Sequence, residues 1–460
     1  MSVRVAVVGT GYVGLVSGAC LAARGNQVLC VDAKPAIVES LNRGVPHFFE
    51  PELGELLTSV RNLGNFRATT SLSEAMAVSD LVLLAVGTPS EDGKIDLGQV
   101  RIAVESVGRE LQKNPRFISL VVKSTVLPGT TDTQVRKWIE DTSKLKLGEF
   151  GLGMNPEFLR EGRAVHDFMH ADRIVIGSED PETRARLEAL YSSWQCDKLF
   201  VRTRTAEMIK YANNSLLAIQ ISAINELANF AGALGGIDML DVIQGVSLDS
   251  RWSPILEDGQ RIRPDVLSYL IPGCGFGGSC FPKDVQAIRS KGIEVGCEMQ
   301  MLEAVLDINA RQPDQLVALW QRQEPELRGK RALVLGLAFK EQTDDVRESP
   351  ARPIIRSLQQ RGVLVKVHDP VAMPNALLAW PELNLEIIAD WRKGIEEADA
   401  IFVITRWPEY RDLIQYADSL DLKGKVILDA RRILSANDFP NSTYLTIGRR
   451  SIDVGSFAQA

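Results

Sequence analysis

The chain has 460 residues, too many for one ordinary hydrophobic core, so two or three domains are expected. Hydrophobic residues make up 45% and charged residues 24%, which is typical of a soluble globular protein. The net charge of -7 argues against nucleic acid or an anionic membrane as partner, and an anionic substrate would need a local basic site.

The first part of the chain alternates strands and helices. It begins directly with a strand, Val3–Val8, and lacks the features of a signal peptide, so we expect a cytoplasmic protein with reduced cysteines. No apolar run is long enough to span a membrane, and the six cysteines lack the paired spacing of a metal site. Further strands are predicted at Gln27–Val31, Leu81–Val86, Ile118–Val122, Gly151–Met154 and Ile174–Ile176. Short apolar strands separated by helices predict a doubly wound parallel sheet, a Rossmann-like domain over residues 1–200.

A glycine-rich turn follows the first strand and opens a helix. Gly9 permits the tight turn, Gly11 lets backbone N–H groups approach a pyrophosphate, and Gly14 allows close packing of helix and strand. Asp32, at the end of the second strand, is placed to accept a hydrogen bond from a ribose 2′-OH and would repel a 2′-phosphate. The pattern therefore predicts NAD as cofactor. The cofactor-binding residues predicted here are Gly9, Gly11, Tyr12, Val13, Gly14, Asp32 and Lys34.

A long helix and a glycine-rich loop fill the middle of the chain, predicted as a central domain over residues 201–312. Residues 205–234 have few helix breakers and a long apolar stripe, which predicts a spine helix and a candidate dimer contact. The loop Pro272–Pro282 carries Cys280 directly after its glycines. If a helix starts near Pro282, its dipole and Lys283 favour a thiolate at Cys280, which can capture an aldehyde and then form a thioester. The structural alternative is a glycine turn with an incidental buried cysteine.

A second α/β passage is predicted over residues 313–460. Its strands are predicted at Ala332–Leu335, Val363–Val367, Ala400–Ile404 and Val426–Leu428. The first of these ends at Gly336, as Val5–Val8 ends at Gly9, but the glycine pattern is not repeated after it. The architecture predicts an internal duplication, and therefore a second Rossmann-like domain.

Several strings of residues resemble one enzyme family across nearly the whole chain. They are Gly9–Gly14, Val86–Pro89, Lys123–Thr125, Asn155–Gly162, Lys210–Asn214, Phe276–Asp284, Gly336–Lys340 and Asp344–Ser349. The chain is similar to the UDP-glucose/GDP-mannose dehydrogenase family. The resemblance implies a homodimer that oxidises a primary alcohol of a nucleotide sugar to a carboxylate with two NAD+, through a thiohemiacetal and a thioester on Cys280. It favours UDP-glucose, with GDP-mannose or a UDP-N-acetylhexosamine as alternatives.

The resemblance also implies roles for individual residues. In the catalytic group, Cys280 is the nucleophile, Lys210, Asn214 and Asp284 surround the reacting carbon, and Glu157 activates water with the help of Thr125. Lys210, Asp284 or water is the base for the first oxidation. The further residues implied at the cofactor are Thr88, Ser124, Thr125, Glu161, Lys283 and Arg347. Those implied at the substrate are Glu157, Phe158, Leu159, Arg160, Glu161, Lys210, Asn214, Arg261, Tyr269, Gly277, Phe339, Lys340 and Arg431, with Arg432 as an alternative to the last.

The chain departs from the family pattern at two places that bear on its ligands. Ile37 stands where a basic residue usually follows the ribose-binding acid, so Lys34 is a candidate substitute. The segment before the cysteine loop is about three residues longer than usual, which leaves Arg261 and Arg263 as candidates for the arginine that reaches a partner's substrate. Two other classes of protein were weighed, a single-oxidation hydroxyacid dehydrogenase and a catalytically silent nucleotide-sugar sensor. Neither needs Cys280 with Lys210, Asn214 and Asp284.

Overall fold

The computed structural model describes residues 2–91, 93–417 and 422–450. These residues form two compact units. The first contains the chain up to Asn213 together with Ser290–Gly296, and the second contains Asn214–Arg289 and the described residues from Cys297 onward. The predicted division into three domains, ending at residues 200, 312 and 460, stays a prediction.

The first unit is built around an eight-stranded sheet. Its strands are β1 (Arg4–Val8), β2 (Gln27–Val31), β3 (Phe66–Thr69), β4 (Leu81–Leu84), β7 (Ser119–Val122), β8 (Gly151–Met154), β9 (Arg173–Gly177) and β10 (Asp197–Val201), with a small hairpin of β5 (Ser90–Glu91) and β6 (Lys94–Ile95) beside it. Its helices are α1 (Tyr12–Ala23), α2 (Pro35–Asn42), α3 (Leu53–Asn62), α4 (Leu72–Val78), α5 (Gly98–Lys113), α6 (Arg136–Ser143), α7 (Ala164–Met169) and α8 (Pro181–Leu190), and a π-helical turn covers Thr130–Val135.

The strand order is β10-β9-β8-β7-β4-β1-β2-β3, and the pairs from β3 to β8 are parallel. Strand β9 pairs antiparallel with β8 and parallel with β10, so the last two strands run in the opposite sense. Along β1, Val5 and Val7 belong to one hydrophobic core, while Ala6 and Val8 belong to another. The sheet is therefore covered on both faces, as its apolar strands predicted.

Helix α9 (Thr203–Leu234) is the predicted spine helix, and it continues from the first unit into the second. The other helices from this point on are α10 (Met239–Ser247), α11 (Phe281–Glu294), α12 (Gln300–Gln323), α13 (Ala351–Gln360), α14 (Met373–Ala379) and α15 (Arg392–Ile395). Short 3-10 helices cover Asp265–Leu270, Pro381–Leu383, Pro408–Tyr416 and Ala436–Asp438.

The second unit contains a parallel sheet in the order β13-β12-β11-β14-β15-β16. Its strands are β11 (Arg331–Leu335), β12 (Leu364–His368), β13 (Glu386–Ile387), β14 (Ala400–Val403), β15 (Val426–Asp429) and β16 (Thr443–Leu445). Ala332 and Val334 of β11 enter one core and Leu333 and Leu335 another, so this sheet also has two buried faces. The prediction of two Rossmann-like sheets with a helical region between them in the chain is confirmed.

Candidate active site

The glycine turn of the first unit has the geometry that a dinucleotide requires. Gly9 adopts φ +96°, a conformation that favours glycine, and its N–H donates to the Val31 carbonyl at 2.9 Å. A Cβ at Gly14 would lie 1.9 Å from the Gly9 carbonyl oxygen, so helix α1 can approach β1 only without a side chain there. A Cβ at Gly11 would meet nothing within 4 Å. The start of α1 therefore faces open space, and the residues present fit the phosphates of a dinucleotide.

Asp32 is half-buried beyond the end of β2, next to this turn. Its Oδ2 accepts hydrogen bonds from the Thr10 hydroxyl and, at 3.4 Å, from the Thr10 N–H. Its Oδ1 accepts from the Lys34 N–H at 2.9 Å. The carboxylate is thus fixed at the edge where a ribose would lie. The Lys34 side chain is exposed at the start of α2, and its proposed contact with the cofactor stays a prediction.

Polar residues follow the two neighbouring strands β4 and β7 near this turn, as a parallel sheet predicts. Ser124 is buried and donates its hydroxyl hydrogen bond to the Val86 carbonyl at 2.6 Å, so it ties the end of β7 to the end of β4. Thr88 and Thr125 are both half-buried. The three residues lie at the carboxyl ends of neighbouring strands, where α/β sheets bind their ligands.

A cluster of three buried charges is the most distinctive feature of the first unit. The Lys210 Nζ donates to Glu157 Oε1 at 2.9 Å, and both side chains are almost fully buried. The Leu159 N–H donates to Glu157 Oε2 at 2.6 Å. Burial alone would raise the pKa of Glu157, but Lys210, the Leu159 N–H and Lys123 together hold it below its ordinary value. Glu157 is therefore a carboxylate at neutral pH.

Lys123 is the third charge of this cluster. It belongs to the Lys123–Thr125 string, but no role at the site was predicted for it. It is 3% exposed, and its Nζ donates to Asn155 Oδ1 at 3.0 Å. Burial, reinforced by the charge of Lys210 and opposed by Glu157, lowers the pKa of Lys123 to about 8. The sequence signal was available, since Lys123 directly follows a strand whose four residues, Ser119–Val122, are all buried.

The remaining residues of the Asn155–Gly162 string have mixed surroundings. The Phe158 ring lies 5.7 Å from Lys210 Nζ and 4.1 Å from the Arg173 guanidinium. Leu159 contributes the N–H already described. Arg160 forms an ion pair with Asp167 at 2.8 Å, which occupies its guanidinium in this structure. Glu161 is half-buried, and its cofactor and substrate roles stay predictions.

The glycine-rich loop before Cys280 is closely packed within the second unit. A Cβ at Gly277 would lie 2.2 Å from the Glu348 carbonyl oxygen, and one at Gly278 would lie 2.8 Å from the Phe339 ring. The Gly278 N–H donates to the Arg347 carbonyl at 2.9 Å. Glycine is therefore required here for close approach of two backbone segments.

Cys280 directly precedes helix α11, as the sequence predicted. The Asp284 N–H donates to the Cys280 carbonyl at 2.8 Å, which forms the first turn of the helix, and the thiol is half-buried with the Ser279 hydroxyl 3.6 Å away. The N-terminal end of a 14-residue helix stabilises negative charge at this position. Lys283, which was expected to favour the thiolate, donates to Asp284 Oδ1 at 2.7 Å, and its effect on the thiol stays a prediction.

Asp284 connects this helix to α9. It is 1% exposed, and its Oδ2 accepts a hydrogen bond from Asn214 Nδ2 at 2.7 Å. With Lys283 on its other oxygen, the carboxylate is engaged on both sides. The described contacts therefore give Asp284 the task of holding Asn214 and the first turn of α11.

The other cysteines lack these surroundings. Cys274, six residues before Cys280, is fully buried, and burial raises the pKa of its thiol. Burial also raises the pKa of the Cys20, Cys30 and Cys196 thiols. None of the six cysteines forms a disulfide, as expected. Among the described residues no group of histidine, cysteine or acidic side chains could hold a metal ion, and no described helix has the length and apolarity to cross a membrane.

Three positive side chains of the second unit were expected to contact the substrate or the cofactor, namely Arg431, Arg347 and Lys340. The Arg431 guanidinium donates to the carbonyl oxygens of Gly275 at 3.1 Å, Ile404 at 2.6 Å and Phe339 at 3.4 Å. Arg347 forms an ion pair with its neighbour Asp345 at 2.7 Å. The Lys340 Nζ lies 5.6 Å from the Phe339 ring. Their roles at the substrate or cofactor stay predictions.

The alternative Arg432 is occupied elsewhere in the same unit. It lies in the left-handed region and forms an ion pair with Asp238 at 2.9 Å. Its side chain is only 3% exposed, so the structure gives it a packing role.

The longer segment before the cysteine loop, which follows Ile262, contains the 3-10 helix Asp265–Leu270, and a small hairpin precedes it. Ile255 bridges Arg261, and the Ile262 N–H donates to the Pro254 carbonyl at 2.9 Å. The Arg261 guanidinium folds back onto the Leu248 and Ser253 carbonyls, at 2.8 and 3.0 Å. Arg263, the alternative to Arg261 as the substrate arginine, is exposed. The Tyr269 ring lies 6.4 Å from the Phe281 ring.

Three family models match successive parts of the chain. They are described as the NAD binding domain of the UDP-glucose/GDP-mannose dehydrogenase family, over residues 3–195, its central domain, over residues 204–311, and its UDP binding domain, over residues 333–436.

Full-length relatives and solved structures agree with these matches. UDP-glucose 6-dehydrogenase TuaD of Bacillus subtilis is 37% identical over 98% of this chain and 94% of its own length. UDP-glucose 6-dehydrogenase AglM of Haloferax volcanii is 38% identical over 95% and 98%. A UDP-glucose dehydrogenase structure from Pyrobaculum islandicum has a TM-score of 0.88 at 37% identity, covering 98% of both chains. A UDP-D-ManNAc dehydrogenase structure from Pyrococcus horikoshii has a TM-score of 0.82 at 26% identity, covering 98% and 100%.

Proposed function

The chain belongs to the UDP-glucose/GDP-mannose dehydrogenase family, and on that basis we propose that it oxidises UDP-glucose to UDP-glucuronate with two NAD+ and one water. The observation that carries the proposal is Cys280 at the start of helix α11, behind a loop whose glycines are required by close packing. A cysteine that holds the sugar covalently allows two successive oxidations at one carbon before the product leaves.

The choice of UDP-glucose over other nucleotide sugars rests on the pattern of identities. The relatives at 37 and 38% identity carry UDP-glucose in their names, whereas the UDP-D-ManNAc dehydrogenase structure is 26% identical. The feature that opposes it is the longer segment between Ile262 and the cysteine loop, which contains Tyr269 and Leu270. Oxidation of a UDP-N-acetylhexosamine or of GDP-mannose by the same chemistry is therefore the alternative. A single-step hydroxyacid dehydrogenase would need neither Cys280 nor the second α/β sheet.

The first unit would hold the cofactor. The open start of α1 at Gly11 would face the pyrophosphate, and Asp32 would accept a hydrogen bond from the adenosine ribose. Bound NAD+ supplies the acceptor for the hydride in each of the two oxidations. Ser124, Thr125 and Thr88, at the ends of β7 and β4, would line the nicotinamide side.

Cys280 would act between the two oxidations. Oxidation of the primary alcohol releases one proton and one hydride and gives an aldehyde. Addition of the Cys280 thiolate to the aldehyde carbon forms a C–S bond and, with one proton, a thiohemiacetal. Loss of the second hydride and the hydroxyl proton leaves a thioester. Water then cleaves the C–S bond, giving the carboxylate and returning the thiol.

Lys210 and Glu157 would serve the charged steps. Because an ion pair at 2.9 Å stabilises the ammonium form, Lys210 is better suited to stabilise a developing alkoxide than to remove a proton. Glu157 is ionised, so it can accept a proton from the attacking water, with the Thr125 hydroxyl as a second partner for that water. Asn214 would be a further hydrogen-bond donor to the reacting oxygen, oriented by Asp284.

The decisive experiment follows NADH release from a panel of nucleotide sugars. UDP-glucose, UDP-N-acetylglucosamine, UDP-N-acetylmannosamine and GDP-mannose are supplied with excess NAD+, and the product is analysed by mass spectrometry. We expect UDP-glucose to give the highest kcat/KM and two NADH per sugar. A clear preference for an acetylated sugar would refute UDP-glucose as the substrate. One NADH per sugar would refute the two-step oxidation.

The thioester is tested with a matched pair of cysteine variants. Cys280→Ala is expected to lower carboxylate formation by about three orders of magnitude or more, because a covalent nucleophile is lost. Cys274→Ala removes the buried thiol six residues away and is expected to keep turnover near the wild-type value. Equal loss in both variants, or none in Cys280→Ala, would contradict the assigned nucleophile.

A homodimer in the cytoplasm stays part of the proposal. Helix α9 exposes a stripe of large apolar side chains at helical spacing, namely Leu216, Leu227, Phe230 and Leu234, each between 55 and 62% exposed. Such a stripe on a long helix suits contact with a second copy of the chain. Sedimentation equilibrium gives the stoichiometry, and a monomer that retains full activity would refute the dimer as the working form.

A further inference from the structure

The two glycine turns that follow the first strand of each sheet are built alike. Gly9 and Gly336 have φ +96° and +106°. The Gly9 N–H donates to the Val31 carbonyl at 2.9 Å, and the Gly336 N–H donates to the His368 carbonyl at 2.8 Å. In both cases the acceptor is the last residue of the second strand, and an aspartate, Asp32 or Asp369, follows it. The internal duplication predicted from the sequence thus extends to single hydrogen bonds.

The turns are alike at the next residue and differ at the one after it. The N–H groups of Thr10 and Leu337 donate to Asp32 Oδ2 at 3.4 Å and to Asp369 Oδ2 at 2.8 Å. In the first turn the position of Gly11 is open and helix α1 begins at Tyr12. In the second turn Ala338 is fully buried, its N–H also donates to Asp369 Oδ2, at 3.0 Å, and the next helix, α13, begins only at Ala351. The donor at the position that faces a phosphate in a dinucleotide turn is therefore used internally.

Asp369 is a fully buried carboxylate with five donors. Besides Leu337 and Ala338, its Oδ2 accepts from the indole N–H of Trp407 at 3.1 Å. Its Oδ1 accepts from the N–H groups of Val371 and Ala372 at 2.9 and 2.8 Å. A carboxylate offers about four lone-pair directions, so this one is saturated. A buried charge held by so many backbone donors is tolerated because each donor stabilises it.

The turn that Asp369 holds continues into the residues packed against the nucleophile loop. A Cβ added at Gly278 would lie 2.8 Å from the Phe339 ring. One added at Gly277 would lie 3.2 Å from the Phe339 Cβ. Arg431 donates to the carbonyls of both Phe339 and Gly275. A shift of the turn would therefore move the loop that ends at Cys280, since the two segments have no free space between them.

We propose that Asp369 is a positioning residue for the substrate end of this enzyme. Its carboxylate accepts the N–H of Ala338, at the position where the first turn is open to a phosphate, and through this turn it fixes Phe339, Lys340 and the glycine loop before Cys280. The second sheet consequently binds no dinucleotide at its glycine turn. The link to the nucleotide sugar rests on the proposed function, whereas the hold on the turn does not.

Asp369→Asn is the variant that tests the inference. It keeps the shape of the side chain but places an NH2 group against backbone donors, so at least two of the five hydrogen bonds are lost. We expect the amide hydrogens of Val371 and Ala372, or those of Leu337 and Ala338, whichever pair faces the NH2 group, to exchange faster by about tenfold or more, because a buried donor without its acceptor is costly. We also expect the KM for UDP-glucose and the Kd for UDP to rise by about tenfold, with the KM for NAD+ within about twofold.

Two further variants keep the inference falsifiable. Thr405→Val removes the hydroxyl that donates to the Ala338 carbonyl at 2.7 Å, and it should move the same quantities in the same direction if Asp369→Asn fails to fold. Ser357→Ala removes a buried hydroxyl that donates to Asp314 elsewhere in the same sheet domain, and it should leave UDP affinity unchanged.

The outcomes separate the hold on the turn from the function of the enzyme. Unchanged exchange at all four of Leu337, Ala338, Val371 and Ala372 in a folded Asp369→Asn protein would overturn the hold. Faster exchange with unchanged UDP affinity, or an equal rise of both KM values, would overturn the positioning role. Failure of the wild type to oxidise UDP-glucose would count against the proposed function alone, because hydrogen exchange needs no substrate.

Discussion

Replacing Lys123 by methionine should stabilise the protein near neutral pH. Lys123, Lys210 and Glu157 place two positive charges and one negative charge in the interior of the first unit. Lys123→Met leaves the balanced Lys210–Glu157 pair at 2.9 Å. It does not orphan Asn155, because Asn155 Oδ1 also accepts a hydrogen bond from the Tyr191 hydroxyl at 2.6 Å. Methionine has a similar length and suits apolar surroundings.

The magnitude follows from the pKa of Lys123. Burial is the main cause that lowers this pKa to about 8. The charge of Glu157 raises the pKa, and the charge of Lys210 lowers it. An unfolded lysine has a pKa of about 10.4, so the charged form costs about 3 kcal/mol of folding stability below pH 8, at about 1.4 kcal/mol per unit. The penalty is fully present below pH 8 and disappears as pH rises from 8 to about 10.4. The difference in stability between variant and wild type should shrink over that window.

Urea unfolding of both proteins at half-unit steps from pH 6 to pH 10.5 measures this difference. Subtracting the two curves removes every group except Lys123 and the groups coupled to it. A constant difference across the window, or a less stable variant at pH 7, would refute the reasoning. Lys123→Arg is the matched control, because it keeps a charge that does not titrate, and it should be no more stable than wild type at any pH.

Three other changes give separate tests. Lys210→Met should destabilise the protein by about 3 kcal/mol, because only Lys123 and the Leu159 N–H then oppose the burial that raises the pKa of Glu157. Recovery of part of this loss in the double variant with Glu157→Gln, by urea unfolding, checks it. Burial raises the pKa of Glu207 to about 7, so the wild type should lose about 4 kcal/mol of stability as pH rises from about 4.3 to 7. The urea midpoint of Glu207→Gln should not show this loss, and parallel curves for the two proteins would contradict it. Gly14→Ala should weaken NAD+ binding at least about tenfold, because the added Cβ would lie 1.9 Å from the Gly9 carbonyl oxygen. Fluorescence titration measures the affinity, and an unaltered value would show that the turn is not the cofactor site.

The fold was predictable from the sequence where its strands are continuously apolar. Leu81–Leu84 and Ala400–Val403 are such strands, and both lie in the centre of their sheets. The strands Phe66–Thr69 and Asp197–Val201 were missed, because they lie at the sheet edges and contain charged or polar residues. The reversal of direction at β9 (Arg173–Gly177) was also missed, since an apolar run is the same in either sense.

The candidate site was predictable where a motif requires a particular backbone. The glycines before Cys280 and the start of helix α11 at Phe281 were predicted from turn and helix signals, and the structure has both. The partners of the charged side chains were not predictable. Lys283 pairs with Asp284, its neighbour in the chain, and the burial of Lys123 depends on residues distant in the sequence. Spacing fixes which helix face a residue occupies, whereas tertiary packing decides its partner.

Two arginines lie beside a buried carboxylate in the second unit, and this links stability to ligand binding. Arg406 and Arg431 lie near Asp429, and burial lowers the pKa of Arg406 while it raises that of Asp429. A chain with a net charge of -7 attracts an anionic substrate only where positive side chains are grouped in this way. Burial of Arg406 also disfavours the ligand-free fold, because taking a charge out of water is costly. A bound diphosphate would add negative charge beside these arginines, so UDP should raise the unfolding temperature more at low ionic strength than at high ionic strength. An increase that does not depend on salt would separate the binding of the nucleotide from these arginines.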